Sequence, residues 1–179
     1  NDTAWMVPDI NPSGDSDPAE NGWEGKLTVM GTRLYFMAED GTNGVELWAH
    51  ETTNSSTWMV ADIYSGSSSS SPGYCSSGPQ VVGTRLLFDA NTGTNGVELW
   101  AHETANGSTW MAANINPSGS SSPGCLGQFK VVGTKVYFDA NDGSNGVELW
   151  VHETANGSTW MGTDFSFASS GLPSWSACT

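Results

Sequence analysis

The chain has 179 residues, and its five Lys and Arg stand against 19 Asp and Glu for a formal net charge of −14. It therefore lacks the basic stripe that a nucleic-acid backbone or an anionic membrane surface requires. Nine Trp and 22 Gly in a composition that is 37% apolar describe aromatic strands and glycine turns, with no Ala/Glu/Lys/Leu run to build a surface helix.

The first residues, Asn-Asp-Thr, include neither Met nor a hydrophobic leader, which reads as a processed chain or an excised segment. No run is long and apolar enough for a membrane-spanning helix. Residues 4–10, Ala-Trp-Met-Val-Pro-Asp-Ile, predict a strand in which Pro8 marks an edge or a bulge. Related segments at 57–63, 109–115 and 159–165 each close a repeat, so the first copy is an extra N-terminal strand. Its Trp5, Met6, Val7 and Ile10 are the candidates for pairing with another chain's sheet.

Residues 11–25 form an acidic connection rich in turn residues, matched by the serine tract 65–71 with Pro72-Gly73 and by residues 118–124. Strand-like pieces follow at 26–30 and 33–38 around Gly31-Thr32, again at 80–82 and 85–90, and at 129–132 and 135–140. The turns at 39–44, 91–96 and 141–146 then deliver Gly-Val-Glu-Leu-Trp at 44–48, 96–100 and 146–150, in steps of 52 and 50 residues. Four short antiparallel strands per step are the content of one propeller blade. The expected fold is all-β, with three blade-like repeats of about 50 residues at 26–63, 64–115 and 116–165. Residues 1–25 precede them and a partial connection, 166–179, follows.

Alternation along 45–50 puts Val45, Leu47 and Ala49 on one face and Glu46, Trp48 and His50 on the other. A buried carboxylate needs a partner, and Arg33, Arg85 and Lys135, at the start of the adjacent strand, are the expected partners of Glu46, Glu98 and Glu148.

The pattern Leu-Tyr-Phe, Asp-Gly-Thr-Asn-Gly, Glu-Leu-Trp and Thr-Trp-Met-Val-Ala-Asp-Ile resembles the extracellular ELWxxDGT repeat family over residues 26–165. The resemblance implies a propeller-type architecture on a large secreted or surface protein, and implies little about activity. This sequence has Ala/Val-His-Glu-Thr after the Trp where the family has two variable residues and Asp-Gly-Thr, so no role of that Asp is carried over.

Candidate chemistry is spread evenly over the repeats. His50, His102 and His152 are the only histidines, and each is followed by Glu; a structural His copied with the repeat explains them better than a metal site does, since rings on separate blades stand far apart. Calcium is the candidate cofactor, through Asp40 and Asn43, Asp142 and Asn145, with Asp9, Asp15 and Asp17 as a second cluster; hairpin-turn chemistry accounts for the same loops without it. Trp23 and Trp175 lie in connections and are the sugar-stacking candidates, the repeat-strand Trp being expected in the core. Of the cysteines Cys75, Cys125 and Cys178, at least one is expected in a disulfide and an odd one out in a bond to another chain. Cys178 to Cys125 is the favoured bridge, and Cys75 and Cys125, at equivalent points of successive repeats, meet only if their Cα atoms lie within about 7 Å.

The N-x-Ser/Thr acceptor tripeptide occurs at Asn1, Asn54, Asn106 and Asn156, always just before the Trp-Met segment. Spelled NDT, NSS and NGS, it points to N-linked glycans on a secreted, extracellular protein. No catalytic constellation stands out, so the expectation is a non-enzymatic structural glycoprotein. It would assemble head-to-tail with other copies of itself into a filament, sheath or matrix, with a lectin-like carbohydrate-binding propeller module as the alternative.

Overall fold

The computed structural model describes residues 4, 6–18, 27–76 and 78–163, and every regular element among them is a strand. The first sheet contains β1 (Thr28–Met30), β2 (Arg33–Glu39), β3 (Val45–Glu51) and β4 (Ser56–Ala61). The second contains β5 (Gln80–Val82), β6 (Arg85–Asn91), β7 (Val97–Glu103) and β8 (Ser108–Ala113). The third contains β9 (Lys130–Val132), β10 (Lys135–Asn141), β11 (Val147–Glu153) and β12 (Ser158–Thr163). Each is a four-stranded antiparallel meander in chain order, because each connection is a short turn that returns the chain beside its predecessor. Gly31, Gly83 and Gly133, at φ near +60°, sit in the first turn of each sheet.

Register is the same in all three. Phe36 faces Trp48, Phe88 faces Trp100 and Phe138 faces Trp150. A bulge follows Leu47, Leu99 and Leu149, where the outermost strand gains one residue against its neighbour.

The sheets bury their faces on one another. Tyr35, Leu47 and Ala49 of the first pack with Leu86, Phe88 and Ala90 of the second. Leu87, Leu99 and Ala101 of the second pack with Val136, Phe138 and Ala140 of the third. The middle sheet is thus covered on both sides, which is why β6 reads Leu-Leu-Phe-Asp-Ala, a continuous buried run instead of an alternation. Fully burying Leu99 contributes about 1.5–3 kcal/mol. Thr28 Oγ1 donates to Pro79 O at 2.6 Å, so the first strands of adjacent sheets meet side by side.

Among the described residues, the extra N-terminal strand is not formed within the single chain. Ala4 and residues 6–18 form no strand, and Trp5 lies outside the described residues. The equivalent residues of β4 are extended because they pair with β3; residues 6–10 have no such ladder, and Pro8 has no N–H to give to one. They lie instead along the outer side of the first sheet, where Met6, Val7 and Ile10 line a groove with Leu34 and Phe36.

Candidate functional site

The recurring chemistry lies at the junctions between sheets, in the loops that carry the chain from one to the next. The Glu46 carboxylate accepts from Ile63 N–H (2.9 Å), Tyr64 N–H (3.3 Å), Ser70 N–H (3.0 Å) and Ser70 Oγ (2.5 Å). Glu98 accepts from Ile115 N–H (2.7 Å), Asn116 N–H (3.4 Å), Ser121 N–H (3.0 Å) and Ser121 Oγ (2.7 Å). The same loops fasten to the following sheet: Asn91 N–H donates to Ser70 O and Asn141 N–H to Ser121 O, both at 2.9 Å. Each loop is a rivet. One side holds the glutamate of the preceding sheet and the other the middle strand of the next.

The expected cation partners of these glutamates are therefore corrected. Arg33 bonds Glu51 at 3.2 Å and Arg85 bonds Glu103 at 3.1 Å, at the far end of the same strand pair. Antiparallel register decides it, because Arg33 stands opposite Glu51 while Glu46 stands opposite Ala38. The signal overlooked is the repeated Ser-Ser-Pro-Gly at 70–73 and 121–124, which supplies the hydroxyl.

Burial pushes the Glu46 and Glu98 carboxyls above their ordinary values, with the loop hydrogen bonds pulling the other way. A raised carboxyl adds stability below its unfolded value and loses that contribution as pH rises through the folded one, so these two do not drive acid unfolding. Glu51 has the opposite sign. A hydrogen bond from the Thr32 side chain, then Thr53 and Arg33, hold its carboxyl at about 2 against an ordinary 4.5. Its contribution is present above pH 4.5 and is lost as pH falls towards 2. Glu51→Gln is expected to flatten the acid limb of a plot of unfolding midpoint against pH; an unaltered limb would reject that assignment.

A second carboxylate set organises the Cys loops. Asp89 accepts from Cys75 N–H, Ser76 N–H and Ser76 Oγ at 2.9, 2.9 and 2.6 Å. Asp139 accepts from Leu126 N–H and Gly127 N–H at 3.0 and 2.8 Å. These loops bring Cys75 and Cys125 into a disulfide with Cα atoms 4.3 Å apart. The expected Cys178–Cys125 bridge is thus replaced, and Cys178 lies outside the described residues. Cysteines at equivalent points of successive repeats meet because each lies in a loop organised by the aspartate of its own sheet and leading into that sheet's first strand. The first repeat has Met37 where the others have Asp, and Trp23, outside the described residues, where they have Cys, so Asp and Cys come together as a unit. Non-reducing peptide mapping should recover one peptide pair joined through Cys75 and Cys125.

The histidines fall in three different sheets, and each is tied by Nδ1 to a threonine hydroxyl: His50 to Thr57, His102 to Thr109 and His152 to Thr159, at 2.8–2.9 Å. Burial holds the His102 and His152 imidazoles below the ordinary histidine value. The ring of His102 also packs on Tyr35 of the neighbouring sheet at 5.8 Å. Among the described residues no three His, Cys, Asp or Glu side chains gather around a metal-sized position. Asp40 accepts from Thr42 N–H, Asn43 N–H and Asn43 Nδ2, each at 2.8 Å, and Asp142 does the same with Ser144 and Asn145, as turn caps.

The acceptor asparagines Asn54, Asn106 and Asn156 sit on the exposed turn before the outermost strand, and each Oδ1 accepts from the N–H and Oγ of the Ser two residues on. Asn1, Trp23 and Trp175 lie outside the described residues. The repeat-strand Trp do not all lie in the core. Trp110 and Trp160 are 37% and 39% exposed, because they belong to the outermost strands, and Arg85 and Lys135 stand over their rings.

These features define an all-β repeat protein of three four-stranded antiparallel sheets packed face to face. No family model matches the chain, and no curated protein matches it in sequence. Its fold is similar to part of a crystal structure of puromycin hydrolase, at TM-score 0.51 and 12% identity over 72% of this chain. The overlay takes in only 18% of that hydrolase chain, so the likeness concerns the fold of one portion. A mutant puromycin hydrolase complexed with PGG overlays at TM-score 0.32 and 12% identity, over 73% of this chain and 27% of that one.

Proposed function

We propose that this chain is a non-enzymatic structural glycoprotein of an extracellular assembly, in which the propeller-like stack of sheets continues from one copy of the chain to the next. The observation that carries this reading is that, among the described residues, the outer sides of the first and third sheets present side chains equivalent to the two halves of the internal junctions. Leu47 and Leu99 are 0% exposed against the next sheet, while the equivalent Leu149 of the third sheet is 40% exposed and Val132 is 64% exposed. Leu34 and Phe36 of the first sheet correspond to Leu86 and Phe88, which receive such a face inside the chain. A face matched to another face of the same molecule associates heterologously and builds either a ring or a filament. Two copies with three blades each would make a six-bladed ring; an open contact would propagate.

Sizing with light scattering is the test. Native chains are expected to run as oligomers or fibres, and Leu149→Asp to return them to monomers. A monodisperse wild-type monomer would sink this reading in favour of carbohydrate binding, to which the exposed Trp110 and Trp160 would contribute and for which glycan-array binding is the measurement.

The disulfide and the acceptor turns support secretion, and the repeats fit the ELWxxDGT type of extracellular array. Occupied Asn54, Asn106 and Asn156 would place glycans at one repeat position along the outer rim. Enzymatic deglycosylation is expected to lower the intact mass by whole glycans; an unchanged mass refutes modification.

A further inference from the structure

The loop at residues 10–18 has no sheet before it among the described residues, yet it has the shape of the rivets that follow the first and second sheets. Asn11 Nδ2 donates to Asp15 O at 2.9 Å, as Asn116 Nδ2 donates to Ser120 O at 3.2 Å. Ser13 N–H and Ser118 N–H each donate to the corresponding asparagine Oδ1 at 3.2 Å. Gly14 N–H bonds Asn11 O and Gly119 N–H bonds Asn116 O, both at 3.1 Å. Asp17 takes φ 43°, and Ser71 and Ser122 take φ 49°. The loop is fastened to the first sheet as the others are to theirs: Glu39 N–H donates to Ser16 O at 3.0 Å, and a Cβ on Gly41 would lie 2.8 Å from Asn11 Oδ1, as one on Gly143 would lie 2.9 Å from Asn116 Oδ1.

In both internal loops this shape does one thing: it presents backbone N–H groups and a serine hydroxyl to the glutamate of a Val-Glu-Leu-Trp strand. The corresponding donors here are Ile10 N–H, Asn11 N–H, Ser16 N–H and Ser16 Oγ. Beside them runs an apolar groove of about 300 Å³, lined by Met6, Val7, Ile10, Leu27, Leu34 and Phe36. At the internal junctions the matching surface of Leu86 and Phe88 receives Tyr35, Leu47 and Ala49. Donors for a carboxylate next to a groove for Leu and Val side chains describe one kind of ligand.

We propose that residues 6–18 and the outer face of the first sheet dock the third sheet of a second copy, with that copy's Glu148 carboxylate held by Ile10, Asn11 and Ser16. This rests on the assembly reading above and gives it a polarity and a contact. Val147, Leu149 and Val132 of the incoming sheet, 50%, 40% and 64% exposed in the single chain, would enter the groove side. A cation follows the same template: Arg85 Nη1 donates across an internal junction to Thr154 O, which places Lys135 of one copy at Thr52 O of the next. In the internal junctions the strand leading into the loop is the fourth strand of the sheet being gripped. Residues 6–10 would thus exchange with β12 of the incoming sheet, and the loop would replace the present partners of Glu148. The β11 ladder would be completed by residues 6–10 of the second copy in place of β12, so the number of strand pairings is conserved while β12 is released.

The test compares wild type, Ser16→Ala and a synthetic peptide of residues 4–18. Ser16→Ala removes one hydroxyl on a surface loop, so its circular dichroism, and its melting at concentrations where both proteins are monomeric, should match wild type. Its association, read by sedimentation or light scattering, should weaken by about tenfold or more, the effect of losing one hydrogen bond to a charged acceptor. The wild-type peptide should cap growth and shorten assemblies in proportion to its concentration, and the same peptide with Ser16→Ala should do so far less. Assembly of Ser16→Ala at the wild-type concentration, with neither peptide having an effect, overturns this contact and leaves the assembly reading standing. Wild-type chains that never associate overturn both.

Discussion

Glu98→Ala is expected to destabilise the protein by about 4 kcal/mol, a large fraction of the roughly 5–15 kcal/mol by which domains stay folded. The substitution leaves Ile115 N–H, Asn116 N–H, Ser121 N–H and Ser121 Oγ without their acceptor at a buried position. An orphaned buried donor costs about 1–3 kcal/mol, and four of them in one loop would cost more than the expected total, did the loop not relax and admit water. The loss has a second stage. The loop also holds Asn141 of the next sheet, so the junction between the second and third sheets should loosen with it. Glu98→Gln keeps the shape and one accepting oxygen but turns an amide N–H towards donors, and an intermediate loss of about 2 kcal/mol is expected. Urea unfolding at pH 7 measures both. A midpoint for Glu98→Ala within experimental error of wild type would show that the rivet does not hold the sheets.

Removing the Cys75–Cys125 bridge, with both residues changed to Ser, should cost a similar amount for a different reason. The bridge closes a sequence separation of 50 residues, and in the chain-entropy description a loop of that size restricts the unfolded chain by about 4 kcal/mol. For a protein of this length that corresponds to a fall of roughly 8–16 °C in melting temperature. The bridge spans only the junction between the second and third sheets, so amide exchange should accelerate most in β9 to β12. A melting temperature within about 2 °C of wild type would show that the sheets' packing alone fixes that junction.

The two losses fall on the same junction and should not add. With the disulfide reduced, Glu98→Ala leaves the loop tied to the second sheet through the hydrogen bonds of Val97, and coupling is expected between groups that share one loop. The loop that holds Glu46 also carries Cys75, so Glu46→Ala is expected to couple to reduction as well.

What the sequence determined by itself is local. The period of about 50 residues, four strands per repeat and the turns at Gly31, Gly83 and Gly133 follow from alternation and from the backbone freedom of glycine, which neighbours in the chain are enough to specify. The tertiary structure decided everything that depends on which groups meet across a junction. Glu46 and Glu98 found loop serines instead of Arg33 and Arg85, because antiparallel register carries the cations to the opposite end of the strand pair. Cys75 met Cys125 because two Asp-capped loops converge beside the first strands, and no spacing in the chain encodes that convergence. Residues 6–10 resemble a strand and do not form one, since an extended segment becomes a strand only when a neighbour completes its hydrogen bonds. Trp110 and Trp160 read as core residues and stand at the surface, because the strand that bears them is the last in its sheet.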